Sequence, residues 1–116
     1  RHIAKKAIKY LLNPPLLRRP SSTDVHALLD SLTPDRKWRI QRKYGISPQV
    51  YAVMFINQNG VCAVCGFLDK NGYLYVDHSH LSHSIRGLLC LRCNLAVGKL
   101  KDDHSIIANT AKYLGY

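Results

Sequence analysis

The 116-residue sequence predicts an α+β fold, with a small mixed core and additional helices on its N-terminal and C-terminal sides. Three observations support this class. The four cysteines form two CxxC pairs, two strand-like segments lie between the pairs, and helical segments with capping residues flank them. The apolar content of 47% is normal for a globular protein, and the length suits one domain. A core of this size gains from a covalent or metal staple.

The first 45 residues predict a basic helical extension. Apolar residues recur at helical spacing in the opening segment, RHIAKKAIKYLL, with lysines elsewhere on the helical wheel. The segment over residues 13–22 contains three prolines, which end this helix. Thr23 and Asp24 are predicted to cap a short second helix that ends near Leu32.

Two further helices carry matching start and stop signals. Thr33 and Ser47 are predicted N-caps, and a proline follows each of them at the first helical position. Gly45 and Gly60 are predicted to end the two helices. The first of these helices is strongly basic, whereas the second is apolar and is expected to pack on the cysteine-bearing core.

The core is expected over residues 46–116, with its sheet between the two cysteine pairs. The segment YLYVDH, residues 73–78, predicts a strand that follows a DKNG turn. A second strand around IRGLL, residues 85–89, is expected to return antiparallel to the first. One helix is expected to start at Cys93, and a last one near Asp102 or Asp103.

The four cysteines, Cys62, Cys65, Cys90 and Cys93, predict a structural zinc site. Adjacent thiols of a CxxC pair are poorly arranged for structural disulfides, whereas two pairs supply four thiolates for one tetrahedral ion. Four protein ligands leave no open position for a substrate, so this zinc is structural. The alternative is four buried free cysteines. Reduced thiols favour a reducing intracellular compartment.

A second group of polar residues is left over once sulfur has satisfied the zinc. Asp77, His78 and His80 lie in or beside the first strand, and Asn94 directly follows the second cysteine pair. Neighbouring strand residues face opposite sides, so Asp77 and His78 need a bend or bulge to share one site. Carboxylate and amide oxygens suit Mg²⁺ or a similar hard cation. Taken singly, each residue is more commonly structural, as a turn or helix cap.

The chain resembles the recombination endonuclease VII family, within the HNH or ββα-metal nucleases, in the pattern VCAVCG…YVDHSH…IRGLLCLRCN. The likeness covers residues 44 to about 103. It implies a DNA endonuclease of ββα-metal (HNH-like) fold, in which a β-hairpin and a helix surround one divalent cation beside a Cys₄ zinc. That catalytic cation would be Mg²⁺ or Mn²⁺. The resemblance also implies a phage or other mobile-element origin, and it makes a homodimer a candidate assembly.

The same resemblance assigns roles to individual residues. Asp77 and Asn94 would bind the catalytic cation, and His78 would take a proton from the attacking water. His80 would orient the phosphate or assist the site, and Arg86 would contact a neighbouring phosphate.

Two departures from the family pattern bear on the substrate. Some members place a carboxylate one helical turn after the asparagine, where this chain has Val97. Better-known members also carry a long region after the nuclease core that supports intertwined dimers and junction binding, whereas about a dozen residues follow Asp103 here. Strand cleavage is compatible with both departures, and branched or nicked DNA is a candidate substrate, while Holliday-junction resolution is not implied.

The charge balance predicts a polyanionic partner. Lysine and arginine number 17 against 7 acidic residues, which gives a formal charge of +10 and makes DNA the leading candidate. No stretch of 18 or more apolar residues is present, so the sequence does not predict a membrane span. A solvated helix face is the commoner fate of basic residues, but the basic helix supplies the candidate phosphate contacts Arg36, Lys37, Arg39 and Lys43.

The leading hypothesis is therefore a metal-dependent DNA endonuclease. Its rivals are a non-catalytic zinc-dependent nucleic-acid-binding module and a zinc-stabilised protein-interaction domain. Only the first predicts cutting that depends on Mg²⁺ or Mn²⁺ and on His78. Only the last predicts no salt-sensitive affinity for DNA.

Overall fold

The computed structural model describes residues 21–68 and 72–116, which fold as an α+β unit. The fold class predicted from the sequence is thus confirmed. The predicted opening helix and most of the DKNG turn lie outside the described residues. The elements of the described part are α1 (Ser22–Ser31), α2 (Pro34–Tyr44), α3 (Pro48–Asn57), β1 (Tyr75–His78), β2 (Ile85–Leu89), α4 (Leu91–Lys99) and α5 (His104–Tyr113).

Helices α2 and α3 begin at the residues predicted to cap them. The side chains of Thr33 and Ser47 accept hydrogen bonds at 3.2 Å from the N–H groups of Arg36 and Val50. These bonds satisfy donors that the first turn of a helix leaves without partners. Gly45 follows α2 with φ +66°, a left-handed conformation that ends the helix as expected.

Helix α1 begins earlier than predicted. Its N-cap is Ser21, whose hydroxyl accepts a hydrogen bond at 3.1 Å from the N–H of Asp24. Asp24 therefore lies in the first turn, where its charge still interacts favourably with the helix dipole. The prediction erred because several good capping residues follow one another here. Every helix in the described part of the chain is too short or too polar to cross a lipid bilayer.

The two strands form an antiparallel hairpin with a bulge. Asp77 pairs with Gly87, but the next residue, His78, pairs with Ile85, so Arg86 is the extra residue on β2. The irregularity falls between Asp77 and His78, where the sequence required a bend or bulge. A bulge twists the strand and redirects the side chain of the inserted residue. The side chain of Arg86 is therefore expected to point in a different direction from the one it would take in a regular antiparallel ladder.

One apolar core joins the helices, the hairpin and the cysteine pairs. Ile40 from α2 and Leu74, just before β1, are fully buried within it. The described part of the predicted extension thus packs on the same core, and a domain boundary after residue 45 stays a prediction. The buried members of the core are Leu32, Ile40, Tyr51, Cys62, Tyr73, Leu74, Val76, Leu88, Leu89, Cys90 and Cys93.

Two polar side chains join α3 to the sheet. The hydroxyl of Tyr51 donates to the carbonyl of Leu74 at 2.5 Å and accepts from its N–H at 3.2 Å. Gln58 Nε2 donates to the carbonyls of Val61 and Leu88, at 3.0 and 2.9 Å. Gln58 Oε1 accepts from the N–H of Leu88 at 2.9 Å. Both backbone groups of Leu88 are therefore satisfied on the side of β2 away from β1.

The two C-terminal helices also begin at capping side chains. Helix α4 starts at Leu91, two residues earlier than predicted, because the Sγ of Cys90 accepts from the N–H of Cys93 at 3.4 Å. Asp103 is the N-cap of α5, and its carboxylate accepts from two N–H groups of the first turn, at 2.9 and 3.0 Å. Asp102, the other predicted start, lies outside the helix.

Gln58→Ala is expected to lower the free energy of unfolding by about 2 kcal/mol, because it leaves the N–H of Leu88 and the carbonyl of Val61 without this partner. Urea unfolding of the zinc-loaded protein measures the change. Gln49→Ala, on the exposed face of α3, is the matched control and should change the free energy by less than about 0.5 kcal/mol. Equal effects of the two substitutions would contradict this role for Gln58.

Candidate functional site

The four cysteine side chains converge on one point. All four Sγ atoms lie within 4.8 Å of one another. The Sγ atoms of Cys65 and Cys90 are 3.8 Å apart, close to the separation of about 3.8 Å between sulfurs that surround a tetrahedral zinc at about 2.3 Å. The cluster is compatible with the structural zinc that the sequence predicts.

The ionisation of the thiols also suits a bound cation. Burial opposes ionisation of the Cys62 thiol, but backbone N–H groups of Cys65, Cys90 and Val64 donate to it and lower its pKa to about 7. Burial first, and then the neighbouring thiols, raise the pKa of Cys65 and Cys93. Four thiolates packed this closely repel one another, and a divalent cation removes that repulsion.

Backbone hydrogen bonds attach the first cysteine pair to β2. The N–H of Ala63 donates to the carbonyl of Leu88 at 3.1 Å. The N–H of Gly66 donates to the carbonyl of Cys62 at 3.0 Å, and Gly66 has φ +74°, which closes the turn around the sulfurs. The segment that carries the first cysteine pair is therefore hydrogen-bonded directly to β2 of the hairpin.

A group of charged side chains lies at the bulge, and we call Asp77, His80, Arg86 and Asp102 the Arg86 cluster. The guanidinium of Arg86 donates to both carboxylate oxygens of Asp77, from Nε to Oδ2 at 2.8 Å and from Nη2 to Oδ1 at 3.2 Å. Its Nη1 donates to Oδ1 of Asp102 at 2.7 Å. The other oxygen of Asp102 accepts from the N–H of His80 at 3.0 Å. The cluster thus joins both strands, the hairpin loop and the turn between α4 and α5.

These contacts stabilise the charged forms of Asp102 and Arg86. The hydrogen bond from Arg86, and then the bond from the N–H of His80, hold the pKa of Asp102 below its usual range. Hydrogen bonds to Asp77 and then Asp102 raise the pKa of Arg86. Two carboxylates and one guanidinium leave the cluster with a formal charge of −1. An excess negative charge of this kind favours a nearby cation.

His78 lies beside this cluster at the end of β1. Its ring centroid is 5.2 Å from that of His80 and 6.4 Å from that of Tyr44, the last residue of α2. The side chain is half-buried. The C-terminal end of the basic helix therefore reaches the hairpin beside the predicted general base, a contact that the sequence did not predict.

Asn94 lies in the first turn of α4, one residue after Cys93. Its N–H donates to the carbonyl of Cys90 at 2.9 Å, and the residue is half-buried. Helix α4 packs against both β1 and β2. The sharing of one cation by Asp77 and Asn94 stays a prediction.

The basic residues of α2 do not form one uniform surface. The guanidinium of Arg36 lies 4.4 Å from the ring centroid of the buried Tyr73, so much of this side chain packs on the core. Arg39 pairs with Asp35 one turn earlier at 3.1 Å, on a well-exposed face. Lys37 is half-buried. Of these three, only Arg39 is largely exposed.

The C-terminal end of α2 carries further basic side chains, one of them beside the ring that neighbours His78. Lys43 is exposed, and its Nζ lies 5.5 Å from the ring centroid of Tyr44, the residue whose ring neighbours His78. Trp38 is 61% exposed on the same helix, with the guanidinium of Arg42 at 5.9 Å from its ring centroid. Among the predicted phosphate contacts on α2, Lys43 is therefore the one that lies beside the residue whose ring neighbours His78.

Asp102 is the site residue that sequence reasoning missed. The sequence offers it only as an alternative start for the last helix, a role that Asp103 takes. Lys101 and Asp102 both adopt left-handed backbone conformations, with φ +54° and +55°. Non-glycine residues rarely do so, and such strain tends to occur at functional sites. The signal in the sequence that could have identified Asp102 is that two aspartates are adjacent, although one of them suffices to cap α5.

A bulged hairpin and a following helix, attached to a four-sulfur cluster that is compatible with a structural zinc, define a class of small α+β domains. The family model for recombination endonuclease VII matches residues 37–116, and the chain belongs to this family.

Two phage proteins are similar to the chain. It is 35% identical over 78 residues to the Gene 59 protein of Mycobacterium phage D29. This match covers 66% of this chain and 47% of that protein. The match to the Gene 59 protein of Mycobacterium phage L5 has the same identity and covers 48% of that protein. The chain thus spans about half the length of the curated relatives it matches. No solved structure matches the chain.

Cys65→Ser is expected to abolish stoichiometric zinc binding and cooperative thermal unfolding, because three thiols cannot close a tetrahedral site. Metal analysis and circular dichroism melting measure both effects. Val64→Ser, at the adjacent exposed position, is the control and should keep one zinc per chain. Retention of zinc and of the wild-type melting transition by Cys65→Ser would contradict a four-cysteine site.

Proposed function

We propose that the protein is a metal-dependent DNA endonuclease of the HNH type, which hydrolyses phosphodiester bonds. The observation that carries this proposal is the grouping of His78 with the Arg86 cluster at a bulge in the hairpin. Membership of the recombination endonuclease VII family supports the same reaction. The phage relatives support a phage or mobile-element origin, and the reduced cysteines favour a reducing compartment.

His78 is the proposed general base. It takes a proton from a water molecule whose oxygen attacks phosphorus, and the bond from phosphorus to the 3′ oxygen breaks. His80, whose ring lies 5.2 Å from that of His78, orients the phosphate. The ring of Tyr44 lies 6.4 Å from that of His78, a contact that would limit the movement of the imidazole.

Asp77 and Asn94 are the proposed ligands of a catalytic Mg²⁺ or Mn²⁺ ion. Carboxylate and amide oxygens fit such a hard cation, and the net negative charge of the Arg86 cluster favours one. When bound there, the cation supplies charge that polarises the phosphate and offsets the negative charge on the departing oxygen. Arg86 has two N–H donors left beyond its three bonds to described residues, which suits the contact to a neighbouring phosphate.

DNA is the proposed partner, and α2 is the proposed contact surface. The formal charge of +10 favours a polyanion. Phosphate contacts position DNA without reading its sequence, so weak sequence preference is expected. Branched and nicked DNA are candidate substrates beside ordinary duplex, and a homodimer is a candidate assembly.

A non-catalytic nucleic-acid-binding module is the second candidate function. One observation favours it: both oxygens of the Asp77 carboxylate already accept hydrogen bonds from Arg86. A carboxylate paired in this way serves as a structural ion pair. This alternative requires binding of DNA without cutting in either Mg²⁺ or Mn²⁺.

His78→Ala is expected to slow cleavage of plasmid, linear duplex and four-way-junction DNA by at least about 100-fold, because the proton acceptor is lost. The assay compares product formation with and without Mg²⁺, while metal analysis and melting confirm that zinc and fold persist. His83→Asn removes another histidine of the hairpin loop and is the control. His83 has φ +60°, which asparagine tolerates, and this variant should cut normally. A wild-type protein that binds DNA but never cuts it would establish the second candidate instead.

Lys43→Gln is expected to weaken DNA binding about equally on different sequences, and to reduce the slope of log K against log salt by about 1, as the loss of one phosphate contact requires. Binding is measured by fluorescence anisotropy over a salt series. The control is Lys112→Gln, which removes the same charge from the last turn of α5. Identical slopes for the two variants would exclude a local contact at Lys43.

A further inference from the structure

We propose that Asp102 is a positioning residue for Arg86. Asp102 keeps the guanidinium in the site when a divalent cation binds Asp77 and the hydrogen bonds from Arg86 to Asp77 break. The inference rests on the proposed function, because it concerns how the chain's own residues accommodate a cation at Asp77. It assigns a role to a residue of the turn between α4 and α5, outside the hairpin and the first turn of α4.

The first observation is that Arg86 uses different atoms for its two carboxylates. Nε and Nη2 face Asp77, at 2.8 and 3.2 Å, whereas Nη1 faces Asp102 at 2.7 Å. The bond to Asp102 can therefore persist when the two bonds to Asp77 break. A lysine could not do this, because its single ammonium lacks the planar fork of donors.

The second observation is that Asp102 is itself held in place. Its Oδ2 accepts from the N–H of His80, and its side chain is only 10% exposed. Lys101 and Asp102 adopt left-handed conformations side by side, while Asp103 caps the next helix. A strained backbone that directs one carboxylate toward the hairpin is a costly arrangement for a merely solvated aspartate.

The third observation is that Arg86 and a cation compete for the same carboxylate. Arg86 is the inserted residue of the bulge, and its side chain is 36% exposed, so it has room to turn. Two positive groups on one carboxylate repel each other. Cation binding at Asp77 therefore displaces the Nε and Nη2 edge of Arg86, and Asp102 keeps that freed edge beside the site, available to a phosphate.

Mn²⁺ binding to the zinc-loaded full chain, measured by electron paramagnetic resonance, tests the competition. Manganese is a suitable probe because thiolates select zinc over it. Arg86→Met should tighten Mn²⁺ binding by about tenfold, since a competing cation is removed. Asp102→Asn should weaken it by about threefold or more, since Arg86 then pairs with Asp77 alone. Asparagine tolerates the left-handed backbone and can still accept from His80.

The double variant Asp102→Asn/Arg86→Met decides whether Asp102 acts through Arg86. The proposal predicts that it binds Mn²⁺ as tightly as Arg86→Met alone, because Asp102 has nothing left to hold. Asp103→Asn changes the charge by the same amount at the next residue, keeps an N-cap side chain and should match the wild type. Equal effects of the two asparagine variants, or additive effects in the double variant, would overturn the proposal.

A measurement without added metal separates this proposal from the proposed function. Slow rotation of the Arg86 guanidinium, seen by ¹⁵N NMR, should persist in Asp77→Asn and vanish in Asp77→Asn/Asp102→Asn. Free rotation of the Arg86 guanidinium in Asp77→Asn alone would show that Asp102 does not restrain it, and would refute the proposal.

The Mn²⁺ titration of Asp77→Asn tests the proposed function separately. Wild-type Mn²⁺ affinity in this variant would refute Asp77 as a cation ligand, which is a failure of the proposed function.

Discussion

The convergence of four cysteine sulfurs within 4.8 Å of one another determines how the chain between the two cysteine pairs can run. It joins residues 62–65 to residues 90–93, so the chain between them has to leave and return. The hydrogen bond from Ala63 to Leu88 attaches the first pair to β2, and the Sγ of Cys90 caps α4. One cluster of thiols therefore sets the edge of the hairpin and the start of the helix that follows it. In a core this small, a zinc ion bound by these sulfurs would supply organisation that apolar burial alone does not.

The bulge brings charged side chains together on that scaffold. A regular ladder would direct Asp77 and His78 to opposite faces. The inserted Arg86 disrupts the ladder between them and brings its own guanidinium to Asp77. Asp102 then connects the hairpin to the turn after α4. Arg86 is one positively charged group beside two carboxylates, which leaves a formal charge of −1, and the proposed divalent cation would be a second such group at Asp77.

Sequence reasoning succeeded where local chemistry dominates. The caps Thr33 and Ser47 and the convergence of the two CxxC pairs follow from short-range rules, and the structure agrees with them. A bulge lies between Asp77 and His78, as a site shared by these two residues would need, and the shared site itself stays a prediction. The start of α4 was placed two residues late, because a cysteine is not an ordinary cap.

The failures involve contacts between distant parts of the chain. Tyr44 meets His78, and Asp102 meets Arg86, across 34 and 16 residues, and no periodic pattern reports such pairs. The basic helix α2 gives a third example of a contact that the sequence did not predict. Arg36 was expected on the surface as a phosphate contact, but its guanidinium packs against the buried ring of Tyr73.

In our proposal, sulfur ligands hold a structural ion and oxygen ligands hold a second, separate ion. Anomalous diffraction from crystals of the protein grown with zinc and Mn²⁺ distinguishes the two sites, since each metal is identified at its own absorption edge. We expect a zinc peak among the four sulfurs and a separate manganese peak in contact with the Asp77 carboxylate and the Asn94 amide oxygen. A single zinc peak, or manganese bound away from both residues, would contradict it.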